Sequence, residues 1–269
     1  DVNELWYCMN RWVVRLLYPT SVTPNQITFL SLLFGLASAG FYFSGIPDAL
    51  VWGAIFLYVK VFLDNVDGNL ARVRGTTSRF GRFLDSLTDF GVTVLVYIAV
   101  TVYLVRTTAM PEYWILGLFG LVACFLQSTF FVFYLVNYTS RVGSYEKNRV
   151  DESITEEDKR KVEEGQTDPW DLRLQTLFVW VYGWQDKAVE KLDALFRSFA
   201  KVPDNDAAWY CDRKFLAWVS PLCLCTNNVM LVIFSLMDQL ELFLILLVSF
   251  MNVYGLGLLA WKVLSRTGR

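Results

Sequence analysis

The sequence predicts an all-α fold: a polytopic membrane helix bundle of six transmembrane helices, preceded by an amphipathic helix in the membrane interface. Three observations lead there. The 269 residues are 55% hydrophobic and 16% aromatic, with a mean hydropathy of +0.38, against roughly 45–50% apolar residues in soluble domains. The excess is gathered in runs near 26–45, 49–66, 88–105, 113–136, 215–237 and 242–262, each close to the about 20 residues that cross the hydrocarbon core as a helix. Basic residues crowd alternate connections: Arg11 and Arg15; Arg72, Arg74, Arg79 and Arg82; Arg141, Lys147 and Arg149; Lys262, Arg266 and Arg269. The opposite loops carry only Arg106, beside Asp48, Glu112, Asp238 and Glu241. By the positive-inside rule, both termini then face the cytosol.

Composition also excludes chemistries. There is no histidine, so His-based zinc sites and Ser-His or Cys-His catalysis are ruled out. Cys8, Cys124, Cys211, Cys223 and Cys225 are odd in number and lack paired Cys-x2-Cys spacing, so neither a disulfide framework nor zinc is expected. A net charge of −2 says little about partners.

Along the chain, Asn3–Tyr18 repeats Leu5, Met9, Trp12, Val13, Leu16 and Leu17 at helical spacing, with Arg11 and Arg15 elsewhere on the helix. It reads as an interfacial helix and not as a signal peptide. Pro19 ends it. Thr23 is a good N-cap and Pro24 a good first residue for the first span. The second run stops at Asp64, but its helix is expected to continue past the membrane. Between the fourth and fifth spans lies an insertion, residues 141–213. There Ser153-Ile154-Thr155-Glu156 resembles a capping box opening a charged helix through about Glu164. Asp168-Pro169 breaks that helix; Leu172–Tyr182 is apolar but too short to span. Val189, Leu192, Leu195, Phe196 and Phe199 form a further stripe, ending before Pro203. The domains expected are therefore 1–140, with the interfacial helix and four spans; 141–213, a cytosolic or interfacial helical insertion; and 214–269, with the last two spans. Pro221 is expected to kink the fifth span or mark its start. Thr226, Asn227 and Asn228 place polar groups at membrane depth, where a bundle-interior or site role is the default reading.

The chemistry concentrates in Asp64–Asp89, DNVDGNLARVRGTTSRFGRFLDSLTD. Asp64 and Asp67 are three apart, and Asp85 and Asp89 four apart; on helices both spacings put side chains on one face. Asp64, Asp67, Gly68, Ala71 and Arg72 make one stripe; Ser78, Gly81, Arg82, Asp85 and Asp89 make another. Arg74-Gly75-Thr76-Thr77 between them is a turn around Gly75. Two helices folded together would thus present acids to each other. Unneutralised carboxylates repel. Hard divalent cations, Mg²⁺ above all when phosphates share the coordination, resolve the repulsion. The small residues leave room for a bulky ligand, and Arg72 offers a planar fork of donors to phosphate. A solvated polar loop explains one such pair; it does not explain two in register with two glycines and an arginine. The pattern suggests a metal-bound diphosphate or nucleotide.

The stretch matches D-x2-D-G-x2-A-R-x8-G-x3-D-x3-D at all eight fixed positions over 26 residues. In this it resembles the CDP-alcohol phosphotransferase (CDP-alcohol phosphatidyltransferase) family of integral membrane enzymes. The resemblance implies transfer of a substituted phosphate from a CDP-alcohol donor to a hydroxyl acceptor, with release of CMP. It implies that Asp64, Asp67 and Asp85 hold Mg²⁺ (or Mn²⁺), that Asp89 reaches a second ion, giving two per active site, and that Asp89 is the general base. It places Gly68, Ala71, Arg72, Ser78 and Gly81 around the CDP part, and Asn25 and Thr28 of Pro24-Asn25-Gln26-Ile27-Thr28 beside the nucleotide. Arg141, Arg213 and Asn227 are candidates for the acceptor pocket, although positive-inside topology explains the arginines equally well. A homodimer in the cytoplasmic membrane with a cytosolic active site is expected, with membrane lipid as a partner and no nucleic acid. Six spans favour a CDP-diacylglycerol-type donor and a small polar acceptor. The alternatives are a choline/ethanolamine-type enzyme with a diacylglycerol acceptor and, in another class, a non-catalytic scaffold or transporter.

Overall fold

The computed structural model describes residues 7–142, 154–165, 168–203 and 206–267, without the side chains of residues 7, 79, 80 and 267. The expectations for Asn3, Leu5, Lys147, Arg149, Ser153 and Arg269 fall outside it. Among the described residues every regular element is helical. Five helices are long and apolar enough to cross a membrane: Pro24–Ser44, Ala49–Arg74, Gly81–Thr108, Tyr113–Val142 and Leu240–Arg266. A sixth crossing arises if Arg213–Leu222 and Leu224–Leu236, bent by 40° to each other, act as one. The protein is an all-α, multi-pass membrane protein. The chain divides into two compact units, residues 1–123 with 225–248, and residues 124–224 with 249–269.

The first unit opens with α1 (Tyr7–Leu17). Its apolar residues serve two surfaces. Val14 joins Ile27, Val66 and Leu70 in a buried cluster flanked by Val13 and Leu17, while Met9, Trp12 and Leu16 remain exposed. Arg74 secures the end of α1: its guanidinium donates to the carbonyls of Val22, Leu17 (2.6 Å), Tyr18 (3.1 Å) and Thr20 (2.9 Å). Next, α2 (Pro24–Ser44) starts as expected, with Thr23 as N-cap, Pro24 at its first position, and a reciprocal bond to Gln26.

α2 packs closely on α3 (Ala49–Arg74) and α4 (Arg79–Thr108). Small residues set the distance, as is usual between membrane helices. A Cβ on Gly53 would stand 2.8 Å from the Tyr42 ring. Ser38 donates to the Gly53 carbonyl at 2.7 Å, and Tyr42 donates to Ser235, which donates to the Leu50 carbonyl, both at 3.0 Å. The first part of α5 (Tyr113–Val142) completes this unit, with most of α10 (Leu224–Leu236) and α11 (Leu240–Val248).

The second unit contains α6 (Glu156–Glu163), α7 (Pro169–Phe199), α8 (Ala207–Tyr210), α9 (Arg213–Val219) and α12 (Phe250–Thr267). Two sequence expectations change here. The capping box forms with Thr155, not Ser153, at the cap: Thr155 accepts from the Asp158 amide, and Asp158 accepts from the Thr155 amide. The two apolar stripes at 172–182 and 189–199 belong to one 31-residue helix. Asp168 caps it and Pro169 occupies its first turn, where a missing N–H costs nothing. Pro221 lies in a short 3-10 turn, Ser220–Leu222, which separates α9 from α10. The last expected span is interrupted at Ser249, between α11 and α12.

Buried polar groups in this unit are well partnered. Asp193, fully buried, accepts hydrogen bonds from Tyr134, Trp209 (2.8 Å), Tyr210 (2.7 Å) and Arg197 (2.8 Å). Burial and the Asp193 carboxylate raise the Tyr210 hydroxyl well above the ordinary tyrosine range, which keeps it a donor. Lys262 points its ammonium at the rings of Phe215 (3.7 Å), Tyr134 (4.2 Å) and Trp209 (4.5 Å).

Candidate active site

The site is built on α3 and α4. α3 ends where Gly75 takes the left-handed conformation (φ 66°), and the amides of Gly75 and Thr76 close back on the Arg72 and Ala71 carbonyls. Only a residue without a Cβ adopts this cap at little cost. Three residues later Ser78 caps α4, accepting from the Gly81 amide at 3.0 Å. This short connection folds the two helices together, as the Gly75 turn predicts.

The fold brings Asp64 and Asp67 of α3 together with Asp85 of α4: one carboxylate oxygen from each lies within 4.8 Å of the others. Asp67 is 4% exposed and accepts from the Thr28 hydroxyl at 2.5 Å. Thr28, expected beside a nucleotide, therefore orients a carboxylate. Asp85 has one buried oxygen without a hydrogen-bond partner. Such an atom is costly unless something else fills its coordination. Three converging carboxylates, one of which also has an unpartnered buried oxygen, fit a hard divalent cation with oxygen ligands.

Around the acids are the small residues and Asn25. The Asn25 amide oxygen would lie 3.6 Å from a Cβ on Gly81, which places this pair side by side. Arg72 is exposed and folds back along its helix, donating from Nε to the Gly68 carbonyl at 3.0 Å; a Cβ on Gly68 would meet its Nη2 at 3.4 Å. The Ser78 hydroxyl is engaged as the α4 cap. Of the acceptor candidates, Asn227 is buried in the first unit. Arg141 and Arg213 belong to the second unit. Arg141 donates to Asn137 Oδ1 at 2.6 Å and covers the Tyr210 ring at 4.2 Å. Arg213 is exposed at the start of α9.

Asp89, the fourth acid, is joined to Asp64 through a lysine. Its Oδ1 is bonded by the ammonium of Lys60, which also approaches Asp64 Oδ1 at 3.3 Å. Sequence reasoning passed over Lys60. The signal was present: a lone cation inside an apolar run, one helical turn before Asp64, is a functional candidate by default at membrane depth.

A family model for CDP-alcohol phosphatidyltransferases matches residues 21–196, well over half of the chain and including both acidic pairs. The chain belongs to the CDP-alcohol phosphatidyltransferase family. Among curated members it is similar to the archaetidylinositol phosphate synthase of Pyrococcus horikoshii, 45% identical over 69 residues, covering 25% of this chain and 35% of the relative. It is similar to the phosphatidylinositol phosphate synthase of Streptomyces avermitilis, 45% identical over 68 residues (25% and 27%). It is also similar to the CDP-diacylglycerol–serine O-phosphatidyltransferase of Mycobacterium leprae, 33% identical over 97 residues (35% and 30%). The matched stretch spans about a third or less of each of these relatives. As a CDP-alcohol phosphatidyltransferase family member, the chain has all eight signature positions intact.

Proposed function

We propose that the protein transfers a phosphatidyl-type group from a CDP-linked lipid donor, such as CDP-diacylglycerol, to the hydroxyl of a small polar acceptor, releasing CMP. The observation that carries this reading is the convergence of Asp64, Asp67 and Asp85 between helices bearing an intact signature. The named products and substrates of the similar proteins support a lipid donor with inositol phosphate or serine as acceptor.

In this mechanism Asp64, Asp67 and Asp85 hold Mg²⁺, or Mn²⁺ in its place. Bound there, the ion neutralises the donor diphosphate and eases departure of CMP. Thr28 holds Asp67 in its ligating orientation. Asn25, Gly68, Ala71 and Gly81 take the CDP part in this reading, the small side chains of the last three leaving the backbone open to approach, and Arg72 swings from the Gly68 carbonyl to the diphosphate. Ser78 shapes the entrance by fixing the start of α4. Asp89 takes the proton of the acceptor hydroxyl as its oxygen bonds the lipid-side phosphorus and the P–O bond to CMP breaks. A carboxylate is a weak base toward an alcohol, so positioning supplies much of the rate. Asn227, buried in the same unit as the acids, is the proposed polar contact on the acceptor side.

The membrane reading extends the same way. The basic connections put the site and both termini on the cytosolic side. Met9, Trp12 and Leu16 of α1, and Leu177, Trp180 and Trp184 of α7, are exposed apolar side chains suited to the interface. Helix α7 is thus the part of the 141–213 insertion suited to lie on the membrane, and a homodimer is the assembly we propose.

The test is CMP release by purified protein in lipid with Mg²⁺ and CDP-diacylglycerol, adding inositol phosphate, serine and glycerol phosphate in turn. Release with one acceptor, reduced roughly 10²–10⁴-fold in Asp89→Asn as for loss of a general base, is the expected result. Activity only with CDP-choline or CDP-ethanolamine plus diacylglycerol would assign the opposite donor class. Silence with both would leave a non-catalytic scaffold or transporter.

A further inference from the structure

We propose that the Lys60 ammonium takes the place of a second divalent cation, so that the four-aspartate cluster holds one metal ion per chain. The proposal rests on the reading of Asp64, Asp67 and Asp85 as metal ligands, and it departs from the two-ion expectation drawn from the family resemblance. Lys60 is 3% exposed, in a helix that otherwise presents apolar residues until Asp64. Its Nζ bonds Asp89 Oδ1 and stands 3.3 Å from Asp64 Oδ1. Three acids therefore converge, and the Lys60 ammonium joins one of them, Asp64, to the fourth, Asp89.

The fold builds a slot for this side chain. Ser31 of α2 donates to the Lys60 carbonyl at 3.1 Å. Gly35, one turn further along α2, faces the lysine stem: a Cβ there would stand 3.3 Å from Lys60 Cγ and 2.6 Å from Val92 Cγ1. The stem is enclosed between α2 and α4, and its reach ends between Asp64 and Asp89. A second divalent cation bridging α3 to Asp89 would use these same two carboxylates. It would lie within a few ångströms of a fixed positive charge, in a place where water screens little. The tethered ammonium supplies a permanent charge there and fixes the Asp89 carboxylate. Lys60 is in this sense a positioning residue: it acts through Asp89 and the ion count.

The test counts ions independently of turnover. Purified protein in lipid nanodiscs is titrated with Mn²⁺, and bound ions per chain are read by electron paramagnetic resonance and by calorimetry. Wild type is expected to bind one. Asp89→Asn is expected to remain at one, because Asp89 ligates none, and Lys60→Arg also remains at one. Lys60→Met, which keeps length and removes charge, is expected to rise to two. Two ions in wild type, falling to one in Asp89→Asn, would overturn the proposal whether or not Lys60→Met folds. A folded Lys60→Met that still binds one ion would overturn it too. No bound Mn²⁺ in wild type would instead overturn the metal-ligand reading beneath it. The CMP assay reports separately on catalysis.

Discussion

Lys60 and Lys262 are each 3% exposed in long apolar helices, and the two units surround them in opposite ways. Lys60 meets carboxylates, Asp64 and Asp89. Lys262 meets three aromatic rings and has no hydrogen-bond acceptor. The buried acids differ in the same sense. Asp193 has two donors on each oxygen, from Tyr134 and Trp209 on one and Tyr210 and Arg197 on the other. Asp85 keeps one oxygen with no partner and stands among other acids. A polar network with every member satisfied rigidifies a core, whereas one left incomplete holds charge in readiness for a ligand. The Asp193 network of the second unit is of the first kind, and the acidic cluster of the first unit is of the second.

The comparison breaks most visibly at the acids. Asp193→Ala strips four hydrogen bonds from buried groups, the Arg197 ion pair among them, so a loss of about 3–5 kcal/mol is expected, read by denaturant or thermal unfolding in detergent. A loss near zero would mean the second unit does not depend on its network. Asp85→Asn should act with the opposite sign. Removing one of several like charges relieves repulsion, so metal-free protein should gain about 0.5–2 kcal/mol, the usual yield when a strained functional group is replaced, while CMP release is lost. A destabilised Asp85→Asn would show that the acidic cluster is structural. The smallest effect belongs to Lys262→Met. The side chain keeps its length and its ring contacts, so stability should shift by less than about 1.5 kcal/mol, with the Mn²⁺ count unchanged. A larger loss would show that the ammonium's attraction to the rings dominates.

How much of this was legible in the sequence follows from the range of each interaction. The α3–turn–α4 hairpin was legible because Gly75 and Ser78 act locally, one as a left-handed cap and the other as an N-cap. The start of α2 was legible for the same reason. The joining of 169–199 into one helix was missed because the apolar stretch at 172–182 and the stripe at 189–199 were read as separate pieces, yet nothing between Tyr182 and Val189 removes a backbone bond. The interruption at Ser249 has no proline or glycine to announce it. In the site, the acids and small residues were legible through spacing alone. The Thr28–Asp67 bond joins residues 39 positions apart, and Lys60 meets Asp89 across 29; neither distance has a periodic signature.

What the sequence determined by itself is therefore the membrane class, the helix hairpin that carries the motif, and the identity of the four acids. These rest on hydropathy, caps and helical periodicity, which act within a few turns of chain. Tertiary structure alone decided which three acids converge, which two are joined by Lys60, and which threonine orients Asp67. Those choices depend on how closely α2, α3 and α4 approach, and that is set by side chains facing one another across helices: Gly35 against Val92 and Lys60, and Gly53 against Tyr42.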